Sequence, residues 1–358
     1  MTTTLPAFEG PVCPVPLYHQ DQIVMGHGSG GRMTADLIHT VFHPYFTNKA
    51  LDEGNDFAAL PVPAFDENNG RLIVSVDSHV VKPLIFPGGD IGRLAICGTV
   101  NDVAVSGAKP LYITAGFILE EGLKVDTLKK IILSMKDAAD EAGVQVVAGD
   151  TKVVEKGGCD QIFITTTGVG WLDPGFKIGG QYARPGDVVL ISGPVGDHGI
   201  AVLAARGELG LETSVMSDTA PLNGLIEAVL RAAPNTHVLR DPTRGGLATT
   251  LNEIAEQSKV GITLEEEAIP VKPATQSACE ILGFDPLYIA NEGKVIVITP
   301  EEEAESALAA MQKNTYGSHA AIIGRVVSTN PGKVMMKTSI GGTRLLDVLA
   351  GEMLPRIC

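Results

Sequence analysis

Four features of this sequence carry chemistry by residue type. A glycine run, GHGSGGR (26–32), stands ahead of the helical pattern RMTADLIHTVF. Glycines leave backbone N–H groups bare, and a loop of this kind at a helix start can wrap an anion. The run contains a literal GxGxxG. The dinucleotide form of that motif needs a full strand before it and an acid at a strand end about 20 residues on. Here the preceding DQIVM is short, and Asp52 and Glu53 sit in polar LDEGND. Phosphate cradling in another architecture is therefore favoured over a nicotinamide site, with a plain glycine turn as the alternative.

Aspartates form the second feature. Asp56, Asp77, Asp102, Asp150 and Asp241 end apolar strands or lie just inside helix breaks. Singly, each reads as a cap or turn residue. Together they offer the hard oxygen ligands that Mg2+ takes when it carries a polyphosphate. The chain has no GxxxxGKS or GxxxxGKT, so without a P-loop lysine metal ions must offset the charge of a triphosphate. The third feature is a pair of charged residues. Lys152, in GDTKVV, is either a solvated strand-end lysine or a cation aimed at developing negative charge. Glu292, in IANEGKV, is either a turn carboxylate or a general base.

The fourth feature is Cys358, the last residue of EMLPRIC. From Gly351 on, Gly351 and Pro355 discourage regular structure. The eight residues 351–358 span on the order of 25 Å when extended at ~3.3 Å each. The thiol can thus reach a site far from the anchor of the tail. The adjacent chain-end carboxylate raises a thiol pKa and Arg356 offsets this.

These residues need elements to hold them. RLIVSVDSHVV (71–81), PLYITAGFILE (110–120), VQVVAGD (144–150) and QIFITTTGVGWL (161–172) read as strands. Helical patterns lie between them at 90–108, capped by Asp90, and at 125–143, with Asp126 as cap and Gly143 as stop. This alternation predicts a sheet covered by helices on one side. DPGFKIGGQYARPGD (173–187) is the boundary, and a second α/β unit follows. The expected organisation is a flexible lead-in at 1–22, an N-terminal α+β domain at 23–172, a linker at 173–187, a C-terminal α/β domain at 188–350 and a tail at 351–358.

Composition narrows the function. A net charge of -15 argues against a nucleic-acid surface, which needs a basic face. The five cysteines (13, 97, 159, 279 and 358) are scattered, with no CxxC pair, which argues against a zinc site or a disulfide framework. No stretch approaches the roughly 20 apolar residues of a membrane helix. The first 20 residues have no basic and apolar signal pattern. The expected compartment is the cytoplasm.

Taken together, HGSGG, FPGGDIGRLAICGTVNDVAVSGA, GFILEEG, GDTKVV, GDHG, DPTRGGL, ANEGK and terminal PRIC resemble the HypE family of nickel–iron hydrogenase maturation proteins. That family lies in the superfamily of aminoimidazole ribonucleotide synthetase and selenophosphate synthetase. The resemblance runs from about residue 23 to the end and implies a two-domain PurM-like fold, α+β then α/β, with a dimerising N-terminal sheet. It implies that a carbamoyltransferase, HypF, loads a carbamoyl group onto Cys358. ATP with Mg2+ then drives dehydration of the S-carboxamide to a thiocyanate. The cyanide passes to iron on a HypC–HypD complex. By the same resemblance Asp56, Asp77, Asp102 and Asp150 hold magnesium and ATP. His27, Gly28, Ser29, Gly30, Gly31 and Asn101 also contact the nucleotide. Lys152 stabilises charge on the activated oxygen, and Glu292 is the base. The loop around Asp56 is less acidic than the paired-aspartate form of the superfamily. Two rivals differ in test: a synthetase acting on a free small molecule does not need Cys358, and a docking scaffold does not hydrolyse ATP.

Overall fold

The computed structural model describes residues 21–28, 32–52, 70–207, 210 and 213–348. The expected ligands Ser29, Gly30, Gly31 and Asp56, and the tail with Cys358, lie outside the described residues. The first half begins with α1 (Arg32–Leu37), a π-helical stretch Ile38–Phe42, α2 (His43–Phe46) and α3 (Lys49–Asp52). It continues through β1 (Arg71–His79), the small strands β2 (Ile85–Phe86) and β3 (Gly89–Asp90), α4 (Ile91–Ala104), β4 (Lys109–Glu120), α5 (Val125–Ala142), β5 (Gln145–Val154) and β6 (Ile162–Leu172).

The four long strands form one sheet in the order β1-β6-β4-β5. Only the β4–β5 pair, joined across α5, is parallel. Side chains alternate across a strand, and β1 shows it clearly. Asp77 and His79 face α4, whereas Leu72, Val74 and Val76 point away and are 37%, 59% and 64% exposed. α5 is amphipathic, burying Leu128, Ile131, Ile132, Met135 and Ala139 as a stripe at helical spacing. α4 is buried nearly all round because it lies between this sheet and the second half. Its start is the expected one: the Asp90 carboxylate accepts from the N–H groups of Gly92 and Arg93. α5 differs from expectation, since Lys124 is its N-cap and Asp126 lies in the first turn, where a carboxylate still favours the helix dipole.

The second half contains β7 (Val188–Ile191), α6 (Asp197–Ala205), α7 (Asn223–Ala232), β8 (Val238–Arg240), α8 (Gly246–Ser258), β9 (Gly261–Glu265), α9 (Pro273–Leu282), β10 (Ile296–Thr299), α10 (Glu301–Gln312), β11 (Ala321–Val327), β12 (Val334–Lys337) and β13 (Thr343–Leu346). Its seven strands run β13-β12-β9-β11-β7-β10-β8. Val189 and Ile191 of β7 pack in a core with Leu247, Leu251 and Ile254 of α8. Val188 and Leu190 pack on the other face against α7 and α10. Both faces are covered, which is why VVLI and IVIT are apolar throughout. The two halves share core: Ala104 of α4 packs with the second half, and Val202 and Ala290 pack with the first.

Candidate functional site

Where the halves meet, carboxylates converge. Asp77 comes from β1 and Asp102 from the last turn of α4. Asp241 follows β8, and Glu292 precedes β10. With His79, Gly98, Thr243 and Arg244 they line a cleft of about 50 Å³. Local structure fixes each one. The Ser75 hydroxyl donates to Asp102 Oδ2 at 2.8 Å. The Ser78 N–H donates to Asp77 Oδ1 at 2.8 Å. Gly98 lets α4 approach β1, since a Cβ there would stand 3.0 Å from His79 Nε2 and 3.4 Å from Asp77 Oδ2. His79 Nε2 lies 3.2 Å from Asp77 Oδ2 but is misaligned for a hydrogen bond, and its Nδ1 is buried without one.

The electrostatics of the cleft are uneven. Burial pushes the Asp77 carboxyl up, but His79 and the Ser78 N–H together hold it below its ordinary value. Asp102 is raised by burial and by the neighbouring charge of Asp77, with Ser75 opposing. Asp241 is pushed up to about 7 by burial and then by Asp102. Glu292 is raised well above the ordinary carboxylate range, by burial first and then by Asp241, Asp218, Asp77 and Asp102. Such a site retains protons and attracts cations. Among the described residues no three His, Cys, Asp or Glu are arranged to hold one metal ion. Asp77 and Asp102 could supply the one or two carboxylates that Mg2+ typically takes, its shell being completed by phosphate and water.

Asn101 stands behind the cleft. Its amide Nδ2 donates to the Ala220 carbonyl at 3.0 Å, with a longer 3.5 Å contact to the Glu292 carbonyl, and its Oδ1 accepts from Leu222 N. Both donors point at backbone, so the geometry makes it a brace between α4 and the second half.

Lys152 and Asp150 do not join this cleft within one chain. They sit on β5, three strands from β1, or about 14 Å at ~4.8 Å per step. Asp150 is in register with Gly116, Thr165 and Ser78, the row next to Asp77 but on the outer face of the sheet. Lys152 Nζ pairs with Asp150 Oδ1 at 3.0 Å, and both side chains are well exposed. The start of the glycine run comes to the same place: a Cβ on Gly28 would lie 2.6 Å from Val153 N. His27 is buried there, its Nδ1 accepting from Val24 N. Beside Asp150 an apolar cavity of about 170 Å³ is lined by Ile38, Phe42, Phe46, Phe117 and Val146. The expected residues thus form two groups, an acidic cleft and a glycine–lysine edge.

The described thiols are poor nucleophiles. Burial drives Cys97 up to about 12, and Cys159 and Cys279 to about 11. Residues that the sequence reading passed over include His79, Arg244, Asp218 and Lys294. His79 was findable, because it follows Asp77 at the i+2 spacing that shares a strand face.

Comparison with known proteins matches both halves of the chain. AIR synthase related protein, N-terminal domain, matches residues 54–172, and its C-terminal domain counterpart matches 184–337. A carbamoyl dehydratase HypE from Cupriavidus necator is 53% identical over 337 residues, covering 94% of this chain and 95% of that one. A crystal structure of the hydrogenase maturation protein HypE in complex with ATP superposes with a TM-score of 0.89 at 50% identity, over 94% of this chain and 99% of that chain. The chain also resembles a chain of a HypE–HypF complex (TM-score 0.76, 49% identity, 89% and 100% coverage).

Proposed function

This chain belongs to the HypE family, and from that premise we propose that it is an ATP-dependent carbamoyl dehydratase acting on its own Cys358. A carbamoyl group on the sulfur has a poor leaving group in its amide oxygen. Transfer of the γ-phosphoryl group of ATP onto that oxygen, with loss of one N–H proton, releases ADP and leaves an iminophosphate. Loss of phosphate and of the remaining N–H proton then gives the thiocyanate. The observation that carries this reading is Glu292, a buried carboxyl that lines the acidic cleft with Asp77, Asp102 and Asp241; a cation held by those acids would favour its ionised form, which can take protons from the nitrogen.

Asp77 and Asp102 are the described residues that would hold Mg2+, which when bound supplies positive charge against the triphosphate. Asp56, Ser29, Gly30 and Gly31 keep the nucleotide roles that the family implies. Lys152 and Asp150 lie on the outer sheet face, which also carries exposed Val74 and Val76. A second protomer stacked on that face would cover the apolar residues, and Lys152 and Asp150 keep the roles that the family implies. The homodimer, the carbamoyl donor HypF and the HypC–HypD acceptor belong to this reading. So does a cytoplasmic location, which fits the lack of any described helix long and apolar enough to cross a membrane. The working domains are 23–172 and 188–350, joined by 173–187, with 1–22 as lead-in and 351–358 as the arm.

The test is mass spectrometry of the C-terminal peptide after incubation with the carbamoyl-donating partner. A carbamoyl adduct on Cys358 that loses one water only with ATP supports the proposal. Loss of water without ATP, or unchanged conversion in Glu292→Gln, overturns it.

A further inference from the structure

Beside Glu292, outside the lining of the cleft, lies a buried pair that no catalytic role explains. Asp218 and Lys294 form an ion pair deep in the protein, with Nζ to Oδ2 at 2.9 Å and side chains 4% and 10% exposed. Lys294 also donates to the Gly293 carbonyl at 3.1 Å. The other Asp218 oxygen, Oδ1, accepts from the backbone N–H of Glu292 at 3.0 Å. The Ala220 N–H donates to the Glu292 carbonyl. Among the described residues no side chain hydrogen-bonds the Glu292 carboxyl, so its position is set through its backbone.

The same short segment is held from the other side. Asn101 of α4 takes the Ala220 carbonyl and the Leu222 N–H. Arg93 of α4 donates from Nε to the Thr219 carbonyl at 3.0 Å. Gly293 is packed so tightly on Asp218 that a Cβ there would stand 1.8 Å from the Asp218 carbonyl oxygen. Residues 218–222 therefore form a rigid spacer between α4, which carries Asp102, and the strand entry that carries Glu292.

We infer that Asp218, oriented by its ion pair with Lys294, is a positioning residue that sets Glu292 against the carboxamide nitrogen. This rests on the reading of Glu292 as the base. The role differs from general support of the fold. Many buried ion pairs can be replaced by apolar residues of similar volume without loss of stability. Here one oxygen of the pair has a separate task, the Glu292 amide. A base displaced by about 1 Å loses on the order of 10²-fold in rate.

Two double variants separate these ideas. Asp218→Asn/Lys294→Met removes both charges but keeps an oxygen for the Glu292 N–H. Asp218→Leu/Lys294→Met removes the charges and that oxygen. Each is loaded on Cys358 by the carbamoyl donor, and single-turnover dehydration is followed with the KM for ATP and the melting temperature. The expected result is a rate within about 5-fold of wild type for the asparagine pair and a fall of about 10²-fold for the leucine pair. The KM for ATP stays unchanged in both. Should the leucine pair not fold, Asp218→Ala/Lys294→Met serves as the acceptor-free variant. Equal rates in the two pairs, or a loss expressed in KM alone, overturn the positioning role. Glu292→Gln is the reference. If it retains full rate, the base assignment itself has failed; if it is slow while both pairs stay fast, only the positioning role has failed.

Discussion

Replacing Asp241 by Asn should stabilise the protein, and by an amount that depends on pH. The Asp241 carboxyl is pushed from its ordinary 3.8 up to about 7 by burial and by Asp102. Below about pH 4 it is protonated in both folded and unfolded chains and contributes no pH dependence. Between about 4 and 7 the folded chain keeps a proton that the unfolded chain releases, so stability falls as pH rises through that window and levels off above it. The span from 3.8 to about 7 corresponds to at most about 4 kcal/mol. Part of the side chain faces the cleft, and Asp77, Asp102 and Glu292 titrate with it, so about 2 kcal/mol is the expected share of one residue. Asn at this position removes the charge and most of the penalty. Thermal melts without magnesium or nucleotide should show a gain of about 4–8 °C at pH 8, taking ~2–4 °C per kcal/mol, and about a quarter of that at pH 4.5. A gain of equal size at both pH values would show that packing, not charge, is at issue. No gain at pH 8 would refute the picture of a crowded acidic cleft.

Three further outcomes can be checked. Val76→Lys, at a position 64% exposed on the outer sheet face, should shift the protein from dimer to monomer in analytical ultracentrifugation without lowering its melting temperature. Lys152→Ala should slow dehydration of carbamoyl-Cys358 by about 10²-fold or more. It should leave stability within about 1 kcal/mol, since its partner Asp150 is an exposed surface pair. Gly293→Ala should cost more than about 2 kcal/mol by chemical denaturation, because the added Cβ meets the Asp218 carbonyl; a smaller loss would mean that the 218–222 segment yields easily.

Periodicity made the first sheet legible. Strands expected at 71–81, 110–120 and 161–172 appear at Arg71–His79, Lys109–Glu120 and Ile162–Leu172, since alternation and β-branched residues speak for themselves. β5 runs on to Val154, past the expected end at 150, because Asp150 and Lys152 face solvent and look like turn residues. β13 was missed altogether: TRLLDVLA has no strand alternation, and three of its four strand residues are exposed at the sheet edge. The individual acids were visible as strand-end aspartates, but their grouping was not. Asp77 and Glu292 are separated by most of the chain, and only packing of α4 between the halves brings them to one cleft. Asp77 and Asp150, which the resemblance groups as ligands, occupy opposite edges and opposite faces of one sheet, a separation that sequence alone does not reveal.

The cleft draws one wall from each half, with α4 wedged between them. Its working parts therefore behave as a gauge of how well the halves are seated. Mild heat, denaturant or a nick that loosens this seating will silence turnover while each half keeps its helices and strands. Damage of that kind goes unseen by circular dichroism and is plain in an activity trace.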